Sequence, residues 1–263
     1  MKRHNNCEST KLSAAADWGI MTHKTKGIVL RAIKYGETSL VVTIFTELFG
    51  VQTYMVNGVR SAKKGAAKAN YFQPAAVLDL IVYHTENKPM HRIKEFSWAF
   101  LFDTVLTDVI KNSIASFMVE LVQKCLKQPE ANADLFNFCE EALMQLDKSS
   151  KKVAANFPLF FALHLAHFFG FRIADNYTAA ATFLDLQEGV FINHQPVHPH
   201  FIEGESARLT SQLLKVMQPY ELEIFSLNHE IRRKLLLSYQ TYYALHISDF
   251  GQMKTLMVLH EVL

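Results

Sequence analysis

Cysteine is scarce in this 263-residue chain: Cys7, Cys125 and Cys139 are the only three, with no close pair and one left over. That count excludes a disulfide framework and a four-cysteine zinc site, and a reducing cytoplasm is the compartment it fits. Long apolar runs are also lacking, because Lys, Asp, Glu or His interrupts every stretch that could otherwise cross a bilayer as a helix. The first twenty residues have no apolar middle segment of the kind a secretory signal requires. Residues 1–20 read as a disordered extension, with a second methionine, Met21, just ahead of the first strand-like run. Enzyme signatures are missing too: there is no glycine-rich phosphate loop, no Gly-x-Ser-x-Gly elbow and no His-Glu-x-x-His helix. The neighbouring acids Glu140-Glu141 and Glu203 with Glu205 are consecutive or two apart on surface-type segments, so they read as solvated faces. No enzymatic activity is expected.

What is present is ample apolar content, 49% of residues, for a packed core. Strand-like runs at residues 27–33, 40–46, 51–57, 75–84 and 90–96 are separated by turn residues. The third alternates, with Gln52, Tyr54 and Val56 on one face and Val51, Thr53 and Met55 on the other. Five strands in about seventy residues is the count of a small Greek-key barrel such as an OB-fold. From Trp98 onward the apolar period changes from two to three and four. Helices are predicted over 103–127, 134–147, 153–170, 206–217 and 227–247, with a last one from Met253. The third is apolar nearly all round, which suits the centre of a bundle, and its Pro158 is placed near the start. The sequence therefore predicts an α+β protein with no repeat, low-complexity tract or flexible linker. A five-stranded OB-fold β barrel for nucleic acid spans 21–97, and a mostly α-helical domain spans 98–263 with an irregular insertion at about 171–205.

Overall charge is only +2, but it is unevenly placed. Residues 21–95 hold eleven Lys/Arg against five Asp/Glu, a net of +6, whereas residues 96–263 carry −5. A basic barrel on an acidic body draws a polyanion to the barrel, since screened charges act over about 10 Å. A nucleic-acid strand needs cations spaced along a groove to replace phosphate counterions, and flat side chains on which bases stack. Arg31 and Lys34 flank the first turn with Tyr35 beside them; Arg60, Lys63, Lys64 and Lys68 occupy the long loop ahead of Tyr71-Phe72; Arg92 and Lys94 alternate on the last strand. These nine residues, Arg31 through Lys94, are the candidate DNA contacts, and the plainer reading is an ordinary charged surface with Tyr35 and Phe72 in the core. Two other classes stay open: a protein-only adaptor whose barrel binds peptide, and a metal-dependent nucleic-acid hydrolase.

The blocks Gly27-Ile28-Val29-Leu30-Arg31, Tyr35-Gly36-Glu37-Thr38, Thr43-Ile44-Phe45-Thr46, Gly50 and Asn57-Gly58-Val59-Arg60, in that order, resemble the N-terminal signature of the bacterial recombination mediator family RecO. The order of parts, an OB-fold and then a helical bundle, is similar too. The resemblance implies a cytoplasmic, nucleoid-associated repair protein, without a cofactor, that binds single- and double-stranded DNA and anneals complementary strands. With RecR and the C-terminal tail of single-strand-binding protein as partners, it would help load the recombinase RecA. Lys151, Lys152, Arg172, Arg232 and Arg233 are the candidate cations for such an acidic tail. Many members of the family carry a four-cysteine zinc site, whereas residues 182–209 here contain no cysteine, which resembles a zinc-free branch. His194, His198 and His200 lack a fourth ligand, and His164 with His167 lack a carboxylate, so both groups read as polar loop or core histidines and no metal is expected.

Overall fold

The computed structural model describes residues 21–60, 66–86 and 88–263; the predicted extension at 1–20 lies outside them. Strands β1 (Thr22–Tyr35), β2 (Ser39–Thr46), β3 (Gly50–Val56), β4 (Val77–Tyr83) and β5 (His91–Trp98) close in the order β1-β2-β3-β5-β4. All pairs are antiparallel except β3 with β5, the mixed closure of a five-stranded OB barrel. A short helix, α1 (Ala66–Ala69), and a 3-10 turn, Asn70–Phe72, precede β4.

Alternation along the strands decides what fills the barrel. Val29, Val42, Ile44, Tyr54, Val56, Leu78, Leu80 and Val82 are buried together inside it, and Phe72 from the 3-10 turn joins them. Of the two faces read on the third run, the Tyr54 and Val56 side is the interior one. Gly27 lies opposite Thr46 and Leu78. A Cβ there would come within 2.5 Å of the Ile44 side chain and 2.8 Å of Leu80, so this interior position has no room for a side chain.

β1 is longer than its apolar run predicts, starting at Thr22, because the polar residues His23, Lys24 and Thr25 still pair with β4. A bulge between Val29 and Arg31 adds one residue to β1. Leu30 and Arg31 are consecutive, yet Leu30 is buried against the helices while Arg31 is exposed opposite Thr43. The bulge thus marks where the covered part of the barrel's exterior gives way to the open part.

The helical body comprises α2 (Val109–Cys125), α3 (Ala133–Lys148), α4 (Lys151–Leu165), α5 (Gly204–Leu214), α6 (His229–His246) and α7 (Lys254–Val262). Asp108, Asn132, Ser150 and Asn228 cap α2, α3, α4 and α6 through their side chains. α2 starts six residues later than its apolar period predicts. Residues 103–105 are instead drawn to the buried carboxylate of Asp147, which accepts from the Asp103, Thr104 and Val105 amides at 3.0, 2.8 and 2.8 Å. Pro158 falls mid-way along α4, since the helix starts at Lys151; it is not near the helix start as the sequence suggested. α4 is the central helix, packing on α2, α3, α5 and α6. The stretch 171–205, read as irregular, contains a small sheet of β6 (Phe183–Asp185), β7 (Val190–Ile192) and β8 (Phe201–Ile202) in the order β7-β6-β8. These strands are two or three residues long, too short for an alternating pattern to show in the sequence.

Barrel and helices share a core. Ile28, Leu30, Phe45, Ala75 and Val77 on the barrel exterior are buried in one cluster with α2, α3 and α4. The rings of Phe45 and Phe136 meet edge to face at 5.5 Å, and Lys26 Nζ donates to Glu140 Oε1 at 2.8 Å. Among the described residues no helix is long and apolar enough to cross a membrane.

Candidate nucleic-acid interface

Residues opposite one another on paired strands share a face, so the register maps the open exterior of the barrel. Arg31 stands opposite Thr43, and Thr43 opposite Thr53. Ile33 stands opposite Val41, Val41 opposite Met55, and Met55 opposite Arg92 across the parallel pair. Tyr35 stands opposite Ser39. Ile33 is 45% and Tyr35 57% exposed, so both present apolar surface to solvent. The face therefore has cations at its two margins, Arg31 on β1 and Arg92 on β5, with aliphatic and aromatic surface between. Between β1 and β5 on this side lie β2 and β3, a path of about 14 Å around the barrel surface.

Not all candidate cations share this face. Lys34 lies opposite Leu40, whose side chain is interior, so Lys34 sits at the barrel rim. Arg60 donates from Nη1 to the Gly36 carbonyl at 3.2 Å and from its amide to the Thr38 carbonyl at 3.0 Å, bracing the β1–β2 turn. Lys68 is exposed on α1, and Lys94 is exposed with Glu95 at 3.9 Å. Lys63 and Lys64 lie outside the described residues. Phe72 is core, and Tyr71 stacks on Trp98 at 4.6 Å and 22°. Of the aromatic residues considered, Tyr35 alone is left available for stacking. The exposed Ile33 and the half-buried Val41 and Met55 were not singled out from the sequence; the third run's alternation, which puts Met55 on the outer face, was the signal that could have found one of them.

The second set of cations is dispersed. Lys151 and Lys152 are exposed at the first turn of α4 and Arg172 is exposed beyond its other end; a helix of this length spans about 22 Å. Arg232 donates to the Leu227 and Leu263 carbonyls, each at 2.5 Å, and burial lowers its pKa. It is a clamp for the end of α7, while Arg233 beside it is exposed.

The histidines are also placed. His198 Nε2 lies 3.2 Å from Asp185 Oδ2 and stacks on His200, whereas His194 contacts Asn193. His164 is half-buried against Phe160, and burial lowers its pKa, while His167 is exposed. No group of three His, Cys, Asp or Glu side chains that could hold a metal occurs among the described residues.

The fold is that of a two-part protein, a closed five-stranded barrel with arginines on its uncovered face, anchored to a helical body. Comparison with known proteins gives the family. The model for the recombination protein O N-terminal domain matches residues 21–102 and that for its C-terminal domain matches residues 106–255. This chain belongs to the recombination protein O family, non-enzymatic proteins of DNA repair and recombination. DNA repair protein RecO of Bacteroides fragilis is 33% identical over 244 residues, covering 92% of this chain and 99% of the relative. Those of Flavobacterium psychrophilum and Azobacteroides pseudotrichonymphae are 34% and 30% identical, over 245 and 242 residues, with the same 92% and 99% coverage.

Proposed function

We propose that this protein is a recombination mediator that holds single-stranded DNA across the open face of its barrel. One observation carries the reading: the exterior strands that the helices leave bare bring the exposed Arg31, Ile33, Tyr35 and Arg92 and the half-buried Met55 onto one outward-facing side of the barrel. Cations at the margins replace phosphate counterions, and the apolar centre accepts base faces. Duplex DNA uses the cations alone. Lys34, Lys68, Lys94 and the loop lysines Lys63 and Lys64 widen the field that attracts either form. Family membership supports the rest of the proposal, in which the protein anneals complementary strands, meets RecR and the acidic tail of single-strand-binding protein, and helps load recombinase in the cytoplasm. Lys151, Lys152, Arg172 and Arg233 are the cations left for the tail. Arg232 would act by holding the end of α7.

The same proposal includes a chain that works without zinc. Residues 182–209 contain no cysteine, and His198 is engaged with Asp185. Cys125 and Cys139 are buried in the helical core, where burial raises both thiol pKa values. Annealing of complementary oligonucleotides, bare and coated with single-strand-binding protein, tests the function. Acceleration of both supports it, and acceleration of neither overturns it.

A further inference from the structure

The turn between β4 and β5 frames a cleft of about 520 Å³, open on one side and lined by Tyr83, Thr85, Lys88, Met90, His91 and Arg92. Its volume falls in the range of small-ligand sites, roughly 300–1,000 Å³. Its floor is rigid. His84 is stacked between Phe49 at 3.9 Å and His91 at 4.5 Å, and His23 meets Phe49 edge to face at 5.2 Å. Gln52 Nε2 donates to the Phe49 carbonyl at 2.7 Å, which turns Gln52 Oε1 towards His91 Nε2 at 3.1 Å and makes that nitrogen the donor. His91 is thus held in one orientation, with 5% exposure. The walls differ from the floor: Lys88, Met90 and Arg92 are exposed, with Met90 at 40%. Among the described residues neither Lys88 nor Arg92 has a carboxylate in ion-pair range, and Glu86, the acid of this turn, does not line the cleft.

We infer that this cleft takes one unpaired nucleotide of the bound strand, its phosphate between Lys88 and Arg92 and its base against Tyr83 and Met90. Arg92 belongs both to the cleft and to the open barrel face, where it stands opposite Met55. A strand crossing that face is therefore delivered to the cleft without leaving a cation. The chemistry sets the selectivity: two unpaired cations suit a phosphodiester, and apolar walls suit a base only when it is free of its pairing partner. A duplex offers the cleft its phosphates and no base. The site thus discriminates single strand from duplex, whereas the barrel face alone binds both. This rests on the proposed DNA-binding function.

The test uses Met90→Ser and Lys88→Gln in the full chain, both at exposed positions that leave the fold intact. Fluorescence anisotropy with single-stranded and duplex oligonucleotides is combined with an oligonucleotide carrying 2-aminopurine at successive positions. Met90→Ser is expected to weaken single-strand binding three- to ten-fold and duplex binding less than two-fold, and to abolish the fluorescence change at one 2-aminopurine position. Lys88→Gln is expected to weaken both and to flatten the single-strand salt slope by about 0.7. Wild-type single-strand affinity in both variants, or equal losses on single strand and duplex for Met90→Ser, overturns the cleft while leaving barrel binding in place. Absence of binding by the unmodified protein overturns the DNA-binding function itself, and the cleft with it.

Discussion

Arg92 stands directly opposite Met55 across the parallel pair that closes the barrel. This pairing carries a cation from the last strand to the edge of an apolar face whose other margin is Arg31. Replacing both arginines with Glu should weaken single-strand binding at least ten-fold and flatten its salt slope by about 1.4, two single-strand phosphate contacts. Binding of an acidic tail peptide should be unchanged. Anisotropy with a labelled oligonucleotide and a labelled peptide measures both, and a loss of peptide binding would show that the two surfaces are not separate.

The turn that joins β2 to β3 is seated on the helical body. Gly50 has φ +63°, and a Cβ there would lie 2.2 Å from the Glu130 carbonyl oxygen, a backbone atom that cannot swing aside. Gly50→Ala should cost about 2 kcal/mol or more, from left-handed strain and the displaced loop together. Thermal or urea unfolding reports it; an unchanged midpoint would mean that barrel and helices are not held together here.

Asp147 joins the end of α3 to the segment leading into α2. Burial alone would raise its pKa, but the amides of Thr104, Val105 and Asp103 and the Thr104 hydroxyl outweigh burial and hold the carboxyl below the usual range. A group depressed in the fold stabilises above its unfolded pKa, about 3.9, and that contribution is lost as pH falls through the lower folded value. Asp147→Ala should therefore cost about 3 kcal/mol at pH 7, where three amides lose their acceptor, and its deficit should shrink in acid below pH 4. A deficit independent of pH would assign the effect to packing.

The stacked histidines give the opposite limb. Burial, with His23 beside His84 and with His84 and Lys88 beside His91, lowers both pKa values, partly countered at His84 by Glu86. Both rings take up a proton less readily in the fold than in the unfolded chain, so their contribution is complete above the unfolded value of about 6.5 and falls as pH drops through the folded values. His84→Phe keeps the stack and removes the titration, and the loss of Tm between pH 7 and 5 should be smaller than in the unmodified protein. An identical acid limb would place that titration elsewhere.

Elemental analysis should find far less than one zinc per chain, and chelator should leave the Tm unchanged. Stoichiometric zinc would make His194, His198 and His200 the first residues to replace.

The barrel was legible because period-two burial and turn residues are local signals, and the charge split pointed to the half that carries the candidate site. The cations' grouping was legible only along the chain. Arg31, Lys34 and Tyr35 look like one cluster, but pairing opposite Leu40 sends Lys34 to the rim, and the bulge at Leu30 puts Arg31 on the open face. Arg60 reads as a loop cation until its bonds to the β1–β2 turn appear, and Arg232 as a surface charge until it meets Leu227 and Leu263. Pro158 misled because helix α4 begins at Ser150's cap, a capping signal that the apolar period does not contain. The β4–β5 cleft is lined by residues of one hairpin, 83–92, but the contacts of His84 with Phe49 and of His91 with Gln52 join it to strands far away in sequence, which no local pattern encodes.

The most direct test of the central claim is the affinity of the unmodified protein for a labelled single-stranded oligonucleotide, measured by anisotropy from 50 to 300 mM salt. Binding without strong sequence preference, falling linearly on a logarithmic scale with a slope of several units, is the predicted result. No binding at the lowest salt, or an affinity insensitive to salt, would contradict a barrel that holds DNA through its exposed cations.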